Sequence, residues 1–595
     1  MCGINGIVSL GPEAGPIDRE ELLRTREAMA LRGPDGAGTW VADDGRAGLA
    51  SRRLAILDLS PAGAQPMADP NDGAVQIVIN GEIYNFRALR AGLEAAGQRF
   101  RSDSDTEVVL ALYLRHGEAF LPLLRGMFGL AIWDGRARCL LLARDPLGIK
   151  PLYYAEGGGH LRFASQVKAL EAGGTISPEV DPAGLAGFLL WGSVPEPWTI
   201  RRAIRALPAG HLLTVEDGRP SAPRPFAAPE PAPLSPELAI EESVAAHLVS
   251  DVPVAVFLSA GLDSGLIAAL ARRHLPEPPA TFTLGFDLFA GTAADEAPLA
   301  AQVARTLGTR HVERRLGRDD FARLWPAALA AMDQPSIDGF NTFVVSRAAH
   351  EAGLKVVLSG LGGDEIFGSY PSFRDVPKGV RAARWGRLLP GLQAAWPALA
   401  ARLVPGRPKL PGLLAHGATL PGSYFLRRGL FLPAELPGLL GKERAAEALA
   451  LYDPIADAAK SLAPCSGNGH GRLDPWVAVH AMETAQYMRN QLLRDSDWAS
   501  MASSVELRVP LVDAWLCHHL AAHGFAPARG EGKAALVRRL APELPEALFR
   551  RKKSGFYIPV AEWMLPGTAA VPPAGRSRAL ARRVLQEIGI ELTGT

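Results

Sequence analysis

The chain has 595 residues, of which 48% are hydrophobic and 21% are charged, and its formal net charge at pH 7 is +1. A chain of this length exceeds what one hydrophobic core usually organises, so we expect about two to four domains and more than one activity. The near-neutral charge gives no electrostatic reason to expect nucleic acid or an anionic membrane as a partner, which leaves small polar ligands.

The apolar stretches and the cysteines bear on whether the protein spans a membrane and whether it contains disulfides or a zinc site. No stretch approaches the roughly 18 apolar residues that a membrane helix needs, and no charged-then-apolar signal precedes Cys2, so we expect a cytoplasmic protein. The four cysteines, Cys2, Cys139, Cys465 and Cys517, are widely scattered and show no CxxC spacing. They indicate neither a disulfide framework nor a zinc site.

The N-terminal part of the chain alternates short strand patterns with turn signals. Strands are predicted at Ala74–Asn80, Gly129–Trp133 and Cys139–Ala143, and a helix at Asp105–His116. This pattern predicts an α+β domain with sheets, which we place at residues 2–218. A proline-rich stretch follows, whose composition favours extended backbone over packed elements, and we interpret it as an interdomain linker at residues 219–236.

After the linker, strand and helix patterns alternate. Strands are predicted at Val252–Leu258, Ala280–Phe286 and Leu354–Leu358, with a helix at Gly265–His274. Such alternation implies a parallel sheet covered by helices. Beyond about residue 380 the pattern is mostly helical and interrupted by prolines. We place this second domain at residues 237–565, and we expect residues 566–595 to form a loosely organised tail.

Cys2 is the first residue that suggests chemistry. Removal of the initiator methionine would place a thiol and a free α-amino group on one residue. Because the amine titrates near ~7.7 to 8.0 and the thiol near ~8.5, the neutral amine could help to deprotonate the sulfur. A cysteine at position 2 can also be accidental, so the motifs that follow it decide whether it indicates a function.

Several motifs follow Cys2 in a fixed order, and any one of them alone could be a turn or a strand end. In chain order they are MCGINGIV at 1–8, RGPDG at 32–36, SRRLAILDLS at 51–60, NGEIYN at 80–85 and SDTEVV at 104–109. Together they resemble the class II, N-terminal-nucleophile glutamine amidotransferases, and among these the glutamine-hydrolysing asparagine synthetases. The resemblance implies an αββα sandwich followed by an α/β pyrophosphate-loop synthetase domain with a parallel sheet.

The resemblance assigns roles in glutamine hydrolysis. Cys2 resembles the nucleophile, and Asn80 with the backbone N–H of Gly81 resembles the oxyanion hole, a kind of donor typically worth ~3 kcal/mol of barrier. Arg53 matches the position that pairs with the α-carboxylate of glutamine.

Of three further positions near the predicted glutamine site, two match the family and one departs from it. Glu82 and Asp105 match the residues near the α-ammonium of glutamine. Ser51 departs from the family, which often has histidine there.

A second motif, VPVAVFLSAGLDSGLIAAL at 252–270, predicts a strand, a small hydroxyl-rich loop and a helix. Backbone N–H groups and the helix dipole converge on the loop, which suits an anion. The loop lacks the GK[ST] ending of a Walker motif. It resembles the SGGLDS pyrophosphate loop of synthetases that form acyl adenylates, with Ala260 in place of a glycine.

The resemblance then assigns a nucleotide site that takes ATP and Mg²⁺ as cofactors. The motif VVLSGLGGDEIFGSY at 356–370 supplies part of it. Asp263 and Asp364 match magnesium carboxylates on either side of the pyrophosphate. The residues that match ATP-binding positions are Leu258, Ser259, Gly261, Asp263, Ser264, Leu284, Ser359 and Gly360.

Two later stretches resemble the same family. They are SDWASMASSVELRVPLVD at 496–513 and RRKKSGFYIP at 550–559. In the second, Lys553 aligns with the lysine that stabilises charge during adenylation. Without the resemblance, this basic run would be interpreted as a solvated patch.

Leu361 is the departure that bears most on the acceptor. The family has an acid there, implicated in adenylate formation and ammonia handling, and leucine can do neither. Asp333 or Asp338, in DQPSIDGFN at 333–341, could supply a substitute carboxylate. Gln166 similarly replaces a usual glutamate at the domain junction.

Three functions are compatible with the sequence. The leading hypothesis is asparagine synthesis from aspartate, glutamine and ATP, with AMP and pyrophosphate as by-products. The alternative keeps both half-reactions but amidates a different carboxylate, on a glycan or a secondary metabolite. A degenerate scaffold is the third, and the intact site residues argue against it. β-Lactam-forming relatives are disfavoured because they typically lack the cysteine. We expect small-molecule substrates, no nucleic acid or membrane partner, and consider a homodimer.

Overall fold

The computed structural model describes residues 2–227, 234–389, 391–404, 406–463, 473–525, 529, 531–551, 563 and 573–593. The strands of the N-terminal part pair antiparallel and those of the C-terminal part pair parallel. Among the helices of these ranges, none combines the length and the apolar character that crossing a membrane requires.

Thirteen strands of the N-terminal part form two antiparallel sheets. The strands are β1 (Cys2–Ser9), β2 (Gly36–Val41), β3 (Ala47–Arg53), β4 (Met67–Ala68), β5 (Val75–Ile83), β6 (Gly126–Asp134), β7 (Cys139–Arg144), β8 (Tyr153–Gly157), β9 (His160–Ala164), β10 (Arg205–Ala206), β11 (His211–Glu216), β12 (Arg219–Pro220) and β13 (Arg224–Pro225). One sheet has the order β10-β8-β9-β1-β3-β2, and the other has the order β12-β11-β7-β6-β5-β4, with β13 on β11.

Helices cover the outer faces of both sheets, which gives four layers. Ile4, Leu49 and Val78 belong to the apolar core between the sheets. Outside them, the helix Asp105–His116 packs Val108 and its neighbours onto the second sheet. Every residue of β1 is buried because both faces of its sheet are covered. The αββα sandwich is therefore confirmed. The α-helices of this part are Arg19–Glu27, Phe86–Ala95, Asp105–His116, Val167–Ala172 and Pro182–Trp191.

The C-terminal part is built on one parallel sheet. Its strands are β14 (Val254–Phe257), β15 (Ala280–Phe286), β16 (Arg310–Leu316), β17 (Val356–Leu358) and β18 (Glu506–Arg508). They lie in the order β16-β15-β14-β17-β18, so the direction of winding reverses between β14 and β17. Ligands of open parallel sheets bind beyond the carboxyl ends of the strands at such a reversal.

Helices surround this sheet and form most of the rest of the chain, as the sequence predicts. The α-helices are Pro236–His247, Leu262–His274, Ala297–Leu307, Arg318–Ala331, Phe340–Glu351, Gly363–Ile366, Ser372–Arg387, Leu392–Leu403, Leu413–His416, Leu420–Arg428, Leu436–Leu440, Lys442–Leu451, Pro454–Lys460, Pro475–Met482, Arg494–Met501, Ala514–Ala522, Lys533–Leu540, Glu546–Arg550 and Pro573–Glu587. A π-helix, Glu483–Leu493, joins two of them into one continuous rod.

Two segments are more ordered than the sequence predicts. Within the expected linker, β12 and β13 pair with β11, because proline is tolerated at a sheet edge, and residues 228–233 lie outside the described ranges. In the expected tail, the helix Pro573–Glu587 buries Ala581, Val584 and Leu585 in a core shared with other helices. The prediction of a loose tail is wrong for this helix, whose apolar residues recur at helical spacing.

Candidate active sites

The first site forms around Cys2 at the start of β1. Because β1 pairs antiparallel with β3, Cys2 lies directly opposite Arg53. The backbone N–H of Cys2 donates to Oδ1 of Asn80 at 3.1 Å. Burial raises the pKa of the Cys2 thiol, and a hydrogen bond from Leu54 and the charge of Arg53 oppose this rise. The resting site therefore holds a protonated thiol that needs a base.

Asn80 and Gly81 lie next to each other on β5, as an oxyanion hole requires. The side-chain Nδ2 of Asn80 is buried and makes no hydrogen bond within the described ranges, so a donor is left over for a ligand. Gly81 has φ +154°, and a Cβ there would overlap the carbonyl oxygen of Met127. Only glycine lets β5 approach β6 this closely at that point.

The remaining residues predicted for glutamine binding lie nearby. The Arg53 guanidinium donates to the carbonyl of Ser60 at 3.1 Å, which holds the loop after β3. Burial raises the pKa of Glu82 well above its ordinary value, and the charge of Glu506 adds to this rise. Burial also raises the pKa of Asp105, whose carboxylate accepts the Ile83 N–H at 2.9 Å. An ammonium group bound beside them would lower the pKa of both carboxyls, as the charge of Arg508, 3.5 Å from Glu82, already does for that residue.

Ser51 has a structural role. Its hydroxyl donates to the carbonyl of Gln65 at 2.6 Å and is buried.

Arg32 connects this site to the C-terminal part of the chain, a role that the motif RGPDG did not reveal. Its Nε donates to the carbonyl of Cys2 at 3.3 Å, while Nη1 and Nη2 donate to the two carboxylate oxygens of Asp497 at 2.7 and 3.1 Å. Lys150 lies 3.9 Å from the same carboxylate. All of these side chains are almost completely buried, so the link is shielded from solvent.

The second site begins where β14 ends. The hydroxyls of Ser259 and Ser264 lie 2.9 Å apart, and the Gly261 N–H donates to Oγ of Ser259 at 3.2 Å. The following helix begins at Leu262, three residues before the predicted start, so its N-terminus lies at the loop itself. Hydroxyls, N–H groups and a helix dipole therefore converge at one place.

Asp263 and Asp364 converge on a single cation. Lys533 Nζ donates to both carboxylates, at 3.1 Å for Asp364. Burial opposes the charge of Lys533, but the two carboxylates raise its pKa. Such a pair of carboxylates around a positive charge also fits Mg²⁺, which takes one or two carboxylates together with phosphate oxygens. No larger His, Cys, Asp or Glu cluster suited to a metal occurs in the described ranges.

A cavity of about 270 Å³ lies at the carboxyl ends of β14 and β17. All of the residues that the sequence assigned to ATP line it: Leu258, Ser259, Gly261, Asp263, Ser264, Leu284, Ser359 and Gly360. The fold thus brings together positions spread over about a hundred residues of sequence. Their individual roles stay predictions, and Lys553 lies outside the described residues.

The structure also shows where Leu361, which departs from the family pattern, and its two candidate substitute acids lie. Leu361 and Asp338 line the cavity, whereas Asp333 does not. Asp333 accepts the backbone N–H groups of Val167 and Lys168 at 3.1 and 3.0 Å and so caps a helix of the N-terminal part. Asp333 is therefore already engaged at the domain junction, where it cannot substitute for an acid in the cavity.

Two residues around the cavity were missed by the sequence analysis. Lys533 follows a glycine at the start of a helical pattern, in GEGKAAL, which is a weak signal for a phosphate-site lysine. Asp495, from the helix Arg494–Met501, lines the cavity together with Ser496. No pattern in the sequence indicates that it lies near Asp338.

Family models match almost the whole chain. The model described as a glutamine amidotransferase domain matches residues 1–226, and the model described as asparagine synthase matches residues 237–571.

Curated relatives of the chain include proteins named asparagine synthetases. A putative glutamine-hydrolyzing asparagine synthetase of Mycobacterium tuberculosis is 33% identical, over 95% of this chain and 89% of its own length. Asparagine synthetase 1 of Bacillus subtilis is 32% identical, over 95% and 88%. A protein named Amidase chry2, from Gibberella zeae, is 32% identical over 63% and 60%.

Proposed function

Since the chain belongs to the family of glutamine-hydrolysing asparagine synthetases and is a glutamine-hydrolysing amide ligase, we propose that it adenylates a carboxylate and transfers to it the ammonia that Cys2 releases from glutamine. The observation that carries this proposal is the cavity at the ends of β14 and β17, which gathers every residue assigned to ATP. The family uses ATP, and a serine-lined loop at a helix N-terminus suits its phosphates.

In the glutaminase half-reaction, the Cys2 sulfur attacks the side-chain amide carbon of glutamine. The α-amino group of Cys2, free once Met1 is removed, takes the thiol proton and passes it to the departing ammonia. Asn80 Nδ2 and the Gly81 N–H donate to the oxyanion as it forms, and water then releases glutamate. The unused buried Nδ2 of Asn80 supports this assignment.

In the synthetase half-reaction, an oxygen of the acceptor carboxylate attacks the α-phosphorus of ATP and pyrophosphate departs. Ser259, Gly261 and Ser264 hold the phosphates. Asp263 and Asp364 would hold Mg²⁺, which would neutralise charge on the pyrophosphate. Ammonia then attacks the acyl carbon, and AMP leaves as the amide forms.

Two acceptors remain for this reaction. The names of the relatives favour aspartate, which would make the product asparagine. Another carboxylate is favoured by the cavity itself, because it contains Leu361 together with the two acids Asp338 and Asp495. The geometry supports the second acceptor class better. A homodimer and a cytoplasmic location stay predictions.

The products distinguish adenylation from phosphorylation. Purified protein with ATP, magnesium, ammonium and an acceptor should release AMP and pyrophosphate, and Asp263→Asn should reduce this release by at least about a hundredfold, because the substitution removes a charge from the magnesium and pyrophosphate site. Glutamine hydrolysis by the variant should persist. If the wild type forms ADP and phosphate, cleavage is at the γ-phosphate and the proposal fails.

A further inference from the structure

One wall of the nucleotide cavity carries two carboxylates that the reaction above does not use. Asp338 lies in the turn before the helix Phe340–Glu351, and its carboxylate accepts the Gly339 N–H at 2.8 Å. Asp495 accepts the Ser336 hydroxyl at 2.5 Å and the Trp498 indole N–H at 2.9 Å. Both side chains face the cavity beyond the phosphate loop.

The two acids line the same cavity, and their like charges oppose each other. Burial and, next, the charge of Asp338 raise the pKa of Asp495 to about 7. Burial also raises the pKa of Asp338, which accepts a hydrogen bond from the Gly339 backbone N–H. A cation bound beside two such carboxylates favours their ionised forms.

The protein supplies no such cation among the described residues of this wall. None of the cavity-lining residues in those ranges is lysine, arginine or histidine. Arg494, which lowers the pKa of Asp495 slightly, donates from Nη1 to the Val194 carbonyl at 2.5 Å and does not line the cavity. Lys533 is engaged by Asp263 and Asp364 on the phosphate side. An ammonium group on a ligand would supply a positive charge to this wall.

Leu361 completes the wall with an apolar surface. It is partly buried against Met488 and Val512 and lies in the cavity lining next to Gly360. A second carboxylate on the acceptor would thus meet a leucine and two acids, with no described cation to pair with it. The desolvation of that carboxylate would be uncompensated and its repulsion by the acids would add to the cost.

We propose, on the basis of the adenylating function above, that Asp338 and Asp495 bind the ammonium group of an acceptor that carries one carboxylate to be activated and no second free carboxylate. Free aspartate has the required ammonium group, but its α-carboxylate is a second free carboxylate, which the proposal excludes. An aspartyl residue at the N-terminus of a peptide keeps a free ammonium group and has its α-carboxylate blocked as an amide, so it meets both requirements.

Three small acceptors separate these requirements. They are aspartate, aspartate α-amide, and succinamate, which is the α-amide without its amine. With ATP, magnesium and ammonium, we expect kcat/KM for pyrophosphate release to be at least about tenfold higher with aspartate α-amide than with either other compound. An equal or higher value with aspartate or succinamate overturns the inference, as does absence of release with all three.

The last outcome does not by itself overturn the adenylating function, which fails only if a broader set of carboxylates also releases no pyrophosphate. Asp338→Asn, which keeps the shape and removes the charge, should lower the preference for aspartate α-amide over succinamate by about tenfold. The control Asp319→Asn makes the same change at an exposed position and should keep the preference. An unchanged preference in Asp338→Asn contradicts the proposal, and if that variant does not fold, the wild-type comparison decides.

Discussion

Cys2, which we propose as the nucleophile, is held in place through its own backbone. Burial raises the pKa of Cys2, while its backbone N–H is fixed on Asn80 and its carbonyl on Arg32. Position is therefore set by the backbone on both sides of the residue. Such pre-positioning supplies orientation before the chemical step begins.

Cys2→Ala is expected to stop glutamate formation from glutamine, because the substitution removes the thiol that is proposed to attack the amide carbon. Synthesis from added ammonium should remain within about twofold of wild type, since the adenylating cavity is separate. Assays of glutamate and pyrophosphate with each nitrogen source measure both effects. Cys139→Ala, which alters a thiol on β7 away from the site, is the matched control. Glutamine-driven synthesis at the wild-type rate in Cys2→Ala would contradict the assignment.

The sequence singled out residues that stand in a recognisable local motif, and their catalytic and binding roles stay predictions. Cys2, Asn80 and Asp263 each stand in a motif whose turn or strand end explains the residue type. Asp495 and Lys533 were missed because their importance comes from neighbours far away in the chain. Asp333 was a reasonable candidate by sequence distance, yet its side chain caps a helix at the junction.

Helices and strands were predicted accurately where the apolar periodicity extends over many residues or where both ends of the element carry a capping signal in the sequence. The helix Asp105–His116 begins with the Ser104 cap and ends at Gly117, and its bounds are those predicted. Strand Ala280–Phe286 was also predicted to the residue. Strand β18 was not predicted, because three residues are too short to show a period and it becomes a strand only by pairing with β17.

The C-terminal helix Pro573–Glu587 is expected to contribute to stability. Leu585 is completely buried, so Leu585→Ala should lower the free energy of unfolding by about 2–5 kcal/mol through lost burial and a residual cavity. Ile588 lies just beyond the helix and is 36% exposed, and Ile588→Ala should cost much less. Urea unfolding followed by far-ultraviolet circular dichroism compares the two. Equal losses would mean that the helix does not pack as described.

For the whole molecule, the order of two enzymatic halves was predictable because each carries its own motifs. Their mutual contacts were not, because a buried ion pair between residues 32 and 497 leaves no periodic signal in the sequence. The pair connects the carbonyl of Cys2 to the helix that also carries Asp495 and Ser496. The surroundings of Cys2 and the cavity that Asp495 and Ser496 line are therefore connected through a buried ion pair and one helix.

Asp497→Asn should loosen this connection. The amide can still accept one hydrogen bond from Arg32, but the buried positive charge of Arg32 is then unbalanced. This should lower the free energy of unfolding by up to about 3 kcal/mol. We expect the ratio of glutamate to pyrophosphate released from glutamine and ATP to rise above that of wild type. Arg347→Gln, which breaks an exposed pair with Glu351, provides the control. A wild-type ratio in Asp497→Asn would show that the pair is only structural.

The position of β18 has a consequence for how the chain is made. This strand pairs with β17 through Glu506 and Arg508, although the two strands are separated by all the residues between Leu358 and Glu506. During synthesis on the ribosome, the N-terminal sandwich can close as soon as its own strands have emerged. The edge of β17 stays unpaired until residue 508 is available, and unpaired edges are sites of aggregation. The glutaminase half thus has its complete sheets long before the ATP-binding half does.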